Sequence, residues 1–251
     1  MTDEISHHGE VALVTGANKG IGLEIARQLA ALGMTVLVGA RDPRRRDEAV
    51  AALRPAGGDV WPVALDVTDA PSVDAAAVHI DDQFGRLDVL INNAGISGGA
   101  DQAPAGTDVD AVRAVFDTNV LGVIRVTEAM LPLLTRSPAA RIVNLSSSVG
   151  SLALMSDPDG PLAQVPAFLG YGPSKTTVNA LTVQYAKALR DTKILINAAD
   201  PGRCDTDLIG QSGFTSDRTA AHGAVIAVRL ATLGPDGPTG GLFNDHGQVP
   251  W

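Results

Sequence analysis

Apolar residues in this chain follow two alternating patterns, short unbroken runs and longer stretches at helical spacing. Val11 to Thr15 is the first run; it ends in glycines and reads as a buried strand. Ile21, Ile25, Leu29 and Leu32 then recur at helical spacing, and Gly33 ends that helix. The alternation continues with strands at Thr35–Val38, Val60–Leu65 and Leu87–Ile91 and helices at Pro43–Leu53 and about Pro71–Phe84. A long helix is predicted from about Val109 to Leu134, then a strand at Arg141–Leu145. Residues 149–170, rich in Pro, Gly and Asp, read as loop. A helix from Tyr171 to about Leu189, a strand at Leu195–Ala199, a helix near Ala220–Leu233 and a short strand at Leu242–Phe243 complete the pattern. Strict alternation with wholly apolar strands predicts an α/β fold, a doubly wound parallel sheet of Rossmann type covered on both faces. No linker divides the elements, so residues 11–251 read as one domain preceded by a polar extension at 1–10.

Composition narrows this picture. Hydrophobic residues make up 45% of the 251 residues but aromatics only 4%, so the core must be built from Ala, Val, Leu and Ile. A net charge of -9 disfavours nucleic acid or an anionic membrane as the main partner. One cysteine, Cys204, excludes an internal disulfide and a Cys-cluster metal site and fits a reducing cytoplasm. Cys204 has no His near it in sequence and reads as a pocket-wall thiol. The first ten residues carry no apolar run, and no stretch reaches the roughly 18 apolar residues of a membrane span. His7, His8, His79, His222 and His246 show no ligand spacing, so no metal is expected.

Between the first strand and first helix lies Thr15-Gly16-Ala17-Asn18-Lys19-Gly20-Ile21-Gly22. A helix N-terminus offers unpaired N–H groups and a positive dipole end, which suits a pyrophosphate. Gly16 permits the turn, Gly20 lets phosphate approach the backbone, and Gly22 allows close helix–sheet packing. Asn18 and Ile21 complete the loop. The G-x-x-x-G-x-G spacing differs from the dinucleotide fingerprint G-x-G-x-x-G. After the second strand, Ala40 occupies the position where NAD sites place a carboxylate, and Arg41 follows. Lys19 and Arg41 converge on one ribose, which suggests a 2′-phosphate and hence NADP(H). Two alternatives stay open: Arg41 to Arg46 as a solvated helix start, and Asp42 as the ribose carboxylate one step late. Asp66 and Val67 bracket an adenine or make a turn. Asn92-Asn93-Ala94-Gly95 offers small residues against which a ribose can lie.

Tyr171 and Lys175 sit four apart where a helix begins, on one face. An ammonium there favours the phenolate, whose ordinary pKa is about 10. Tyr171 is thus a candidate proton donor or acceptor. Met155, Phe168, Leu169 and Phe214 are candidate pocket apolars, and Trp61 and Trp251 candidate packing residues.

Together these residues resemble the short-chain dehydrogenase/reductase family. The chain carries its T-G-x-x-x-G-x-G, N-N-A-G and Y-x-x-x-K hallmarks in order. Gly16-Ala-Asn-Lys-Gly-Ile-Gly22 and Trp251 look most like its NADPH-dependent carbonyl reductase branch. The resemblance implies hydride transfer between NADP(H) and a ketone or aldehyde carbonyl. It implies Tyr171 as general acid and Ser147 as the hydroxyl on the carbonyl oxygen, with Ser146 and Ser148 as neighbours that a one-residue shift would substitute. Lys175 would lower the pKa of Tyr171 and bind the nicotinamide ribose, placing both residues against the cofactor. Asn119 would hold a relay water or, alternatively, pack against backbone. Asp200-Pro201-Gly202 with Thr206 would lie beside the nicotinamide. One departure stands out: Ser147 and Tyr171 lie 24 residues apart, farther than in the shorter members. The extra residues, around Ser156–Phe168, are expected to cover the site and, by the same resemblance, to favour a monomer or homodimer over the usual tetramer. A rival reading, an NADP(H)-sensing regulator without turnover, is opposed by the joint presence of Ser147, Tyr171, Lys175 and Asn119.

Overall fold

The computed structural model describes residues 7–99, 102–207, 216 and 218–251. Eight strands form one sheet in the order β3-β2-β1-β4-β5-β6-β7-β8. They are β1 (Val11–Thr15), β2 (Thr35–Ala40), β3 (Asp59–Ala64), β4 (Val89–Asn92), β5 (Arg141–Leu145), β6 (Leu195–Ala199), β7 (Leu242–Asn244) and β8 (Gly247–Val249). All neighbours pair in parallel except β7 and β8. The helices are α1 (Gly20–Ala31), α2 (Pro43–Leu53), α3 (Ala70–Phe84), α4 (Val109–Phe116), α5 (Gly122–Leu134), α6 (Leu152–Ser156), α7 (Tyr171–Ala188) and α8 (Ala220–Ala231).

The apolar strand runs feed both faces of the sheet by simple alternation. Ala12 and Val14 of β1 pack with Ile25, Leu29, Val50 and Leu230, on the side of α1, α2 and α8. Val11 and Leu13 pack with Val73, Ile80, Met130 and Leu134, on the side of α3 and α5. A strand buried on both faces has no polar alternation, which is why it reads as an unbroken run. Each buried Leu or Ile contributes about 1.5–3 kcal/mol. No helix among the described residues is long and apolar enough to cross a membrane.

Three local expectations are corrected. The helix predicted over Val109–Leu134 is interrupted by a wide π turn at Asp117–Leu121, which carries Asn119. Such turns concentrate at functional sites. The stretch 149–170 is not all loop: Ser147 and Ser151 each cap a short helical turn, at Ser148–Gly150 and at α6. Ser151 accepts from the N–H of Leu154, an N-cap placed before the apolar Leu152–Met155. The C-terminal strand is a hairpin, in which β8 returns antiparallel and Ala153 N–H donates to the Trp251 carbonyl at 2.9 Å. Trp61, on the outer strand β3, packs edge-on against Phe84 at 5.9 Å as a packing residue should, with 42% of its surface exposed.

Strand order reverses at β1, which lies between β2 and β4. The crevice beyond the carboxyl ends of parallel strands at such a reversal is where open α/β sheets bind ligands.

Candidate active site

The glycine loop leaves β1 with Gly16 at φ 63° and enters α1 with Gly20 at φ 57°, both in the left-handed region that favours glycine. Gly22 lets the first turn of α1 lie close against the ends of β1 and β4. A Cβ there would lie 2.4 Å from Nδ2 of Asn93 and 2.6 Å from the Gly16 carbonyl oxygen. Asn93 needs that space, because its Nδ2 donates to the carbonyls of Thr15 at 2.8 Å and Gly16 at 3.3 Å. Thr15 reciprocates: its Oγ1 accepts from the N–H groups of Asn93 and Ala94, each at 2.9 Å. The N-N-A-G segment thus staples the glycine loop to the end of β4. Among the described residues no side chain caps α1, which leaves its first N–H groups for an anion.

Two adjoining cavities open here. The larger, about 770 Å³, is bordered by Gly16, Asn18, Lys19, Gly20, Gly22 and Ala94, and on its far side by Arg41, Asp66 and Val67. The second, about 550 Å³, is bordered by Ser147, Tyr171, Lys175, Pro201 and Gly202. Ile21, Asn93, Gly95 and Thr206 border both. Asn119 is the one predicted site residue that borders neither.

In the larger cavity Lys19 forms an ion pair with Asp207, a partner that sequence reasoning missed. Hydrogen bonding and charge from Lys19 hold Asp207 below the usual carboxylate range. Arg41 keeps its place opposite, and Arg45 joins it. The alternative of Asp42 as a ribose carboxylate is not what its side chain does: it caps α2, accepting from Arg45 N–H at 3.0 Å. Asp66 makes the turn that was the alternative to adenine binding. One carboxylate oxygen accepts from Thr68 N–H at 3.0 Å and Thr68 Oγ1 at 2.7 Å. Burial pushes its pKa up, but these bonds and the Arg41 charge outweigh it, so Asp66 stays below its ordinary value.

In the second cavity the three serines separate. Ser146 turns into the core, donating to Asn179 Oδ1 at 2.6 Å. Ser148 is bonded to the Asp200 carboxylate. Ser147 accepts from Val149 N–H at 3.4 Å, and its own proton has no acceptor among the described residues. Lys175 is buried with Nζ donating to the Leu145 carbonyl at 2.7 Å and lying 5.5 Å from the centre of the Tyr171 ring. Burial pulls Lys175 down to about 8. Burial, then the Asp200 charge, pushes the Tyr171 phenol up. Lys175 contributes nothing that offsets this burial in the arrangement described, so the lowering assigned to it is a matter for the loaded site.

Asn119 spends its side chain on protein. Oδ1 accepts from Ile96 N–H at 2.9 Å, and Nδ2 donates to the Ile96 carbonyl at 3.0 Å and Ser174 Oγ at 3.1 Å. That is the packing alternative to a water relay. Much of the apolar part of the cavity wall comes from the stretch before α7, including Leu162, Val165, Pro166 and Phe168. Met155 and Leu169 do not border it, and Phe214 lies outside the described residues. Cys204 does border it, buried, with Sγ 3.4 Å from the Pro201 carbonyl. Sequence reasoning passed over Thr15, Gln102 and Ser97; the last carries a buried hydroxyl with no partner among the described residues.

A sequence profile described as short chain dehydrogenase matches residues 10–214. A short-chain dehydrogenase of Penicillium roqueforti, anuI, is 37% identical over 95% of this chain and 95% of its own length. The (-)-isopiperitenone reductase of Mentha piperita is 34% identical over 92% of this chain and 95% of its own. Among solved structures, NADPH-bound carbonyl reductase from chicken fatty liver is similar with a TM-score of 0.83 and 30% identity, covering 97% of this chain and 99% of that one. With the profile spanning most of its length and relatives matching nearly end to end, the chain belongs to the short-chain dehydrogenase family of oxidoreductases.

Proposed function

We propose that this protein reduces a ketone or aldehyde with NADPH, and catalyses the reverse alcohol oxidation. One observation carries the reading: the Tyr171 phenol and the Ser147 hydroxyl border one largely apolar cavity, which shares a wall with the glycine-loop cavity. The chain's own residues fit the cofactor. Asn93 and Gly22 hold a cradle that a Cβ would fill, and α1 presents an uncapped N-terminus for the pyrophosphate. Arg41, with Lys19 once released from Asp207, would hold the 2′-phosphate. Asp66, Val67, Asn93, Ala94 and Gly95 would border the adenine and riboses, with Pro201, Gly202 and Thr206 beside the nicotinamide. When bound, NADPH supplies the hydride.

The protein supplies protons and charge. Ser147 has a proton to donate and is assigned to the carbonyl oxygen, where negative charge develops. Tyr171 keeps its proton because burial raises its pKa, the state a general acid requires before reduction. Lys175 is an ammonium below about pH 8 and is assigned to stabilise the phenolate left after proton transfer, and to the ribose hydroxyls. The Asn119 side chain is assigned to holding the loop after β4 against α7 through Ile96 and Ser174. The apolar wall suits a bulky, uncharged carbonyl compound. The test is NADPH oxidation by the purified protein across aryl ketones, cyclic terpenoid ketones and quinones. Turnover of at least one class is expected, and tight NADPH binding without any turnover would instead favour a sensor.

A further inference from the structure

Helix α7 starts at Tyr171 after Gly170, and no side chain of its own segment caps it. The first N–H groups of a helix lack intrahelical acceptors, and buried ones require partners from elsewhere. Here the partner comes from far away in sequence. Oε1 of Gln102 accepts from the main-chain N–H of Tyr171 itself at 2.8 Å. The other end of the same amide is equally committed: Nε2 donates to the carbonyls of Ser97 at 2.6 Å and Gly99 at 2.7 Å. The Gln102 carbonyl accepts from Leu169 N–H at 2.9 Å. The residue is 4% exposed, and a Cβ on Gly170 would lie 2.2 Å from Oε1, so the amide occupies space that any side chain at 170 would need. Ser97, Gly99 and Gln102 all border the cavity that holds the Tyr171 phenol.

We propose that Gln102 is a positioning residue that fixes the phenol of Tyr171 relative to the cavity wall at 97–99, and so sets how a carbonyl substrate meets its proton donor. The inference rests on the reductase reading above. Both ends of the amide matter, and they separate chemically. A Glu at this position still accepts from Tyr171 N–H but turns an acceptor toward two carbonyls; a Leu does neither.

Gln102→Leu and Gln102→Glu test this. The first readout needs no catalysis: hydrogen exchange of the Tyr171 amide in the free protein. Exchange is expected to quicken about tenfold or more in Gln102→Leu and to stay near wild type in Gln102→Glu, since a lost cap opens the first turn. The second readout is NADPH-linked ketone reduction. Gln102→Leu is expected to lower kcat about 10–100-fold through misplacement of the phenol, with NADPH affinity unchanged. Gln102→Glu is expected to recover most of kcat while KM for the ketone stays raised, because the wall is loosened and the cap is kept. If Gln102→Leu does not fold, the Gln102→Glu split between kcat and KM decides alone. Unchanged exchange in Gln102→Leu, or equal kinetic losses in both variants, overturns the proposal. If wild type reduces no ketone, the reductase reading falls with the catalytic half of the proposal, while the exchange data still decide the cap.

Discussion

The glycine-loop cavity and the cavity beside Tyr171 share a wall at Ile21, Asn93 and Gly95, yet they are made of different material. The first is built from strand ends and the turns that follow them, and its fit is set by main-chain geometry: two left-handed glycines, an uncapped helix start and the Thr15–Asn93 staple. The second borrows two hydroxyls and an ammonium from β5's end and α7, and takes much of its remaining surface from residues 162–168 and 201–206. Backbone-built sites tolerate few substitutions, because any Cβ in the way meets atoms that cannot move. Loop-built walls accept many side chains and so carry substrate choice. The comparison predicts that changes in the first cavity act on cofactor affinity and stability, and changes in the second on turnover and ketone preference.

The largest effect that would break this division is at Gly22. Gly22→Ala forces its Cβ against Asn93 and the Gly16 carbonyl. The expected cost is about 1–3 kcal/mol of stability from overpacking, with NADPH affinity falling alongside it; a melting curve and a fluorescence titration measure both. Next is Arg41→Ala. Loss of charge-assisted bonds worth about 1.5–3 kcal/mol should raise KM for NADPH roughly 10–150-fold and leave KM for NADH little changed. An equal rise for both cofactors would remove the 2′-phosphate from the account.

The pH dependence sharpens the second cavity. Lys175 loses its charge as pH rises through about 8, so kcat for reduction should be flat below pH 8 and fall up to about tenfold per unit above it. A profile flat to pH 10 would take Lys175 out of the proton balance. Smaller still is Phe168→Ala. Its ring lies 6.4 Å from that of Tyr171 and lines the wall, so KM for a bulky ketone should shift several-fold, about 1 kcal/mol, with NADPH affinity unchanged.

The same division governs what was legible in the sequence. The strand runs and the glycine loop are local patterns, readable from neighbours in sequence, and the same patterns put Arg41, Asp66, Tyr171 and Lys175 at the edges of the two cavities. Gln102 and Thr15 were not readable. Gln102 finds its partner 69 residues away and Thr15 finds Asn93 78 away, and a polar residue in a loop carries no periodicity to announce this. Ser146, Ser147 and Ser148 are identical in composition and differ only in what each hydroxyl faces. The π turn at Asn119 left no trace because its apolar spacing continues that of the helices on both sides. The shift of Tyr171 away from the phenolate depends on burial, which spacing alone does not convey.

The most direct test of the account compares wild type with Tyr171→Phe in two assays on the same preparations, NADPH affinity and NADPH-linked ketone reduction. The predicted result is an unchanged dissociation constant with reduction slowed about 10²–10⁴-fold, the usual range for loss of a general acid. Reduction at the wild-type rate by Tyr171→Phe would contradict it.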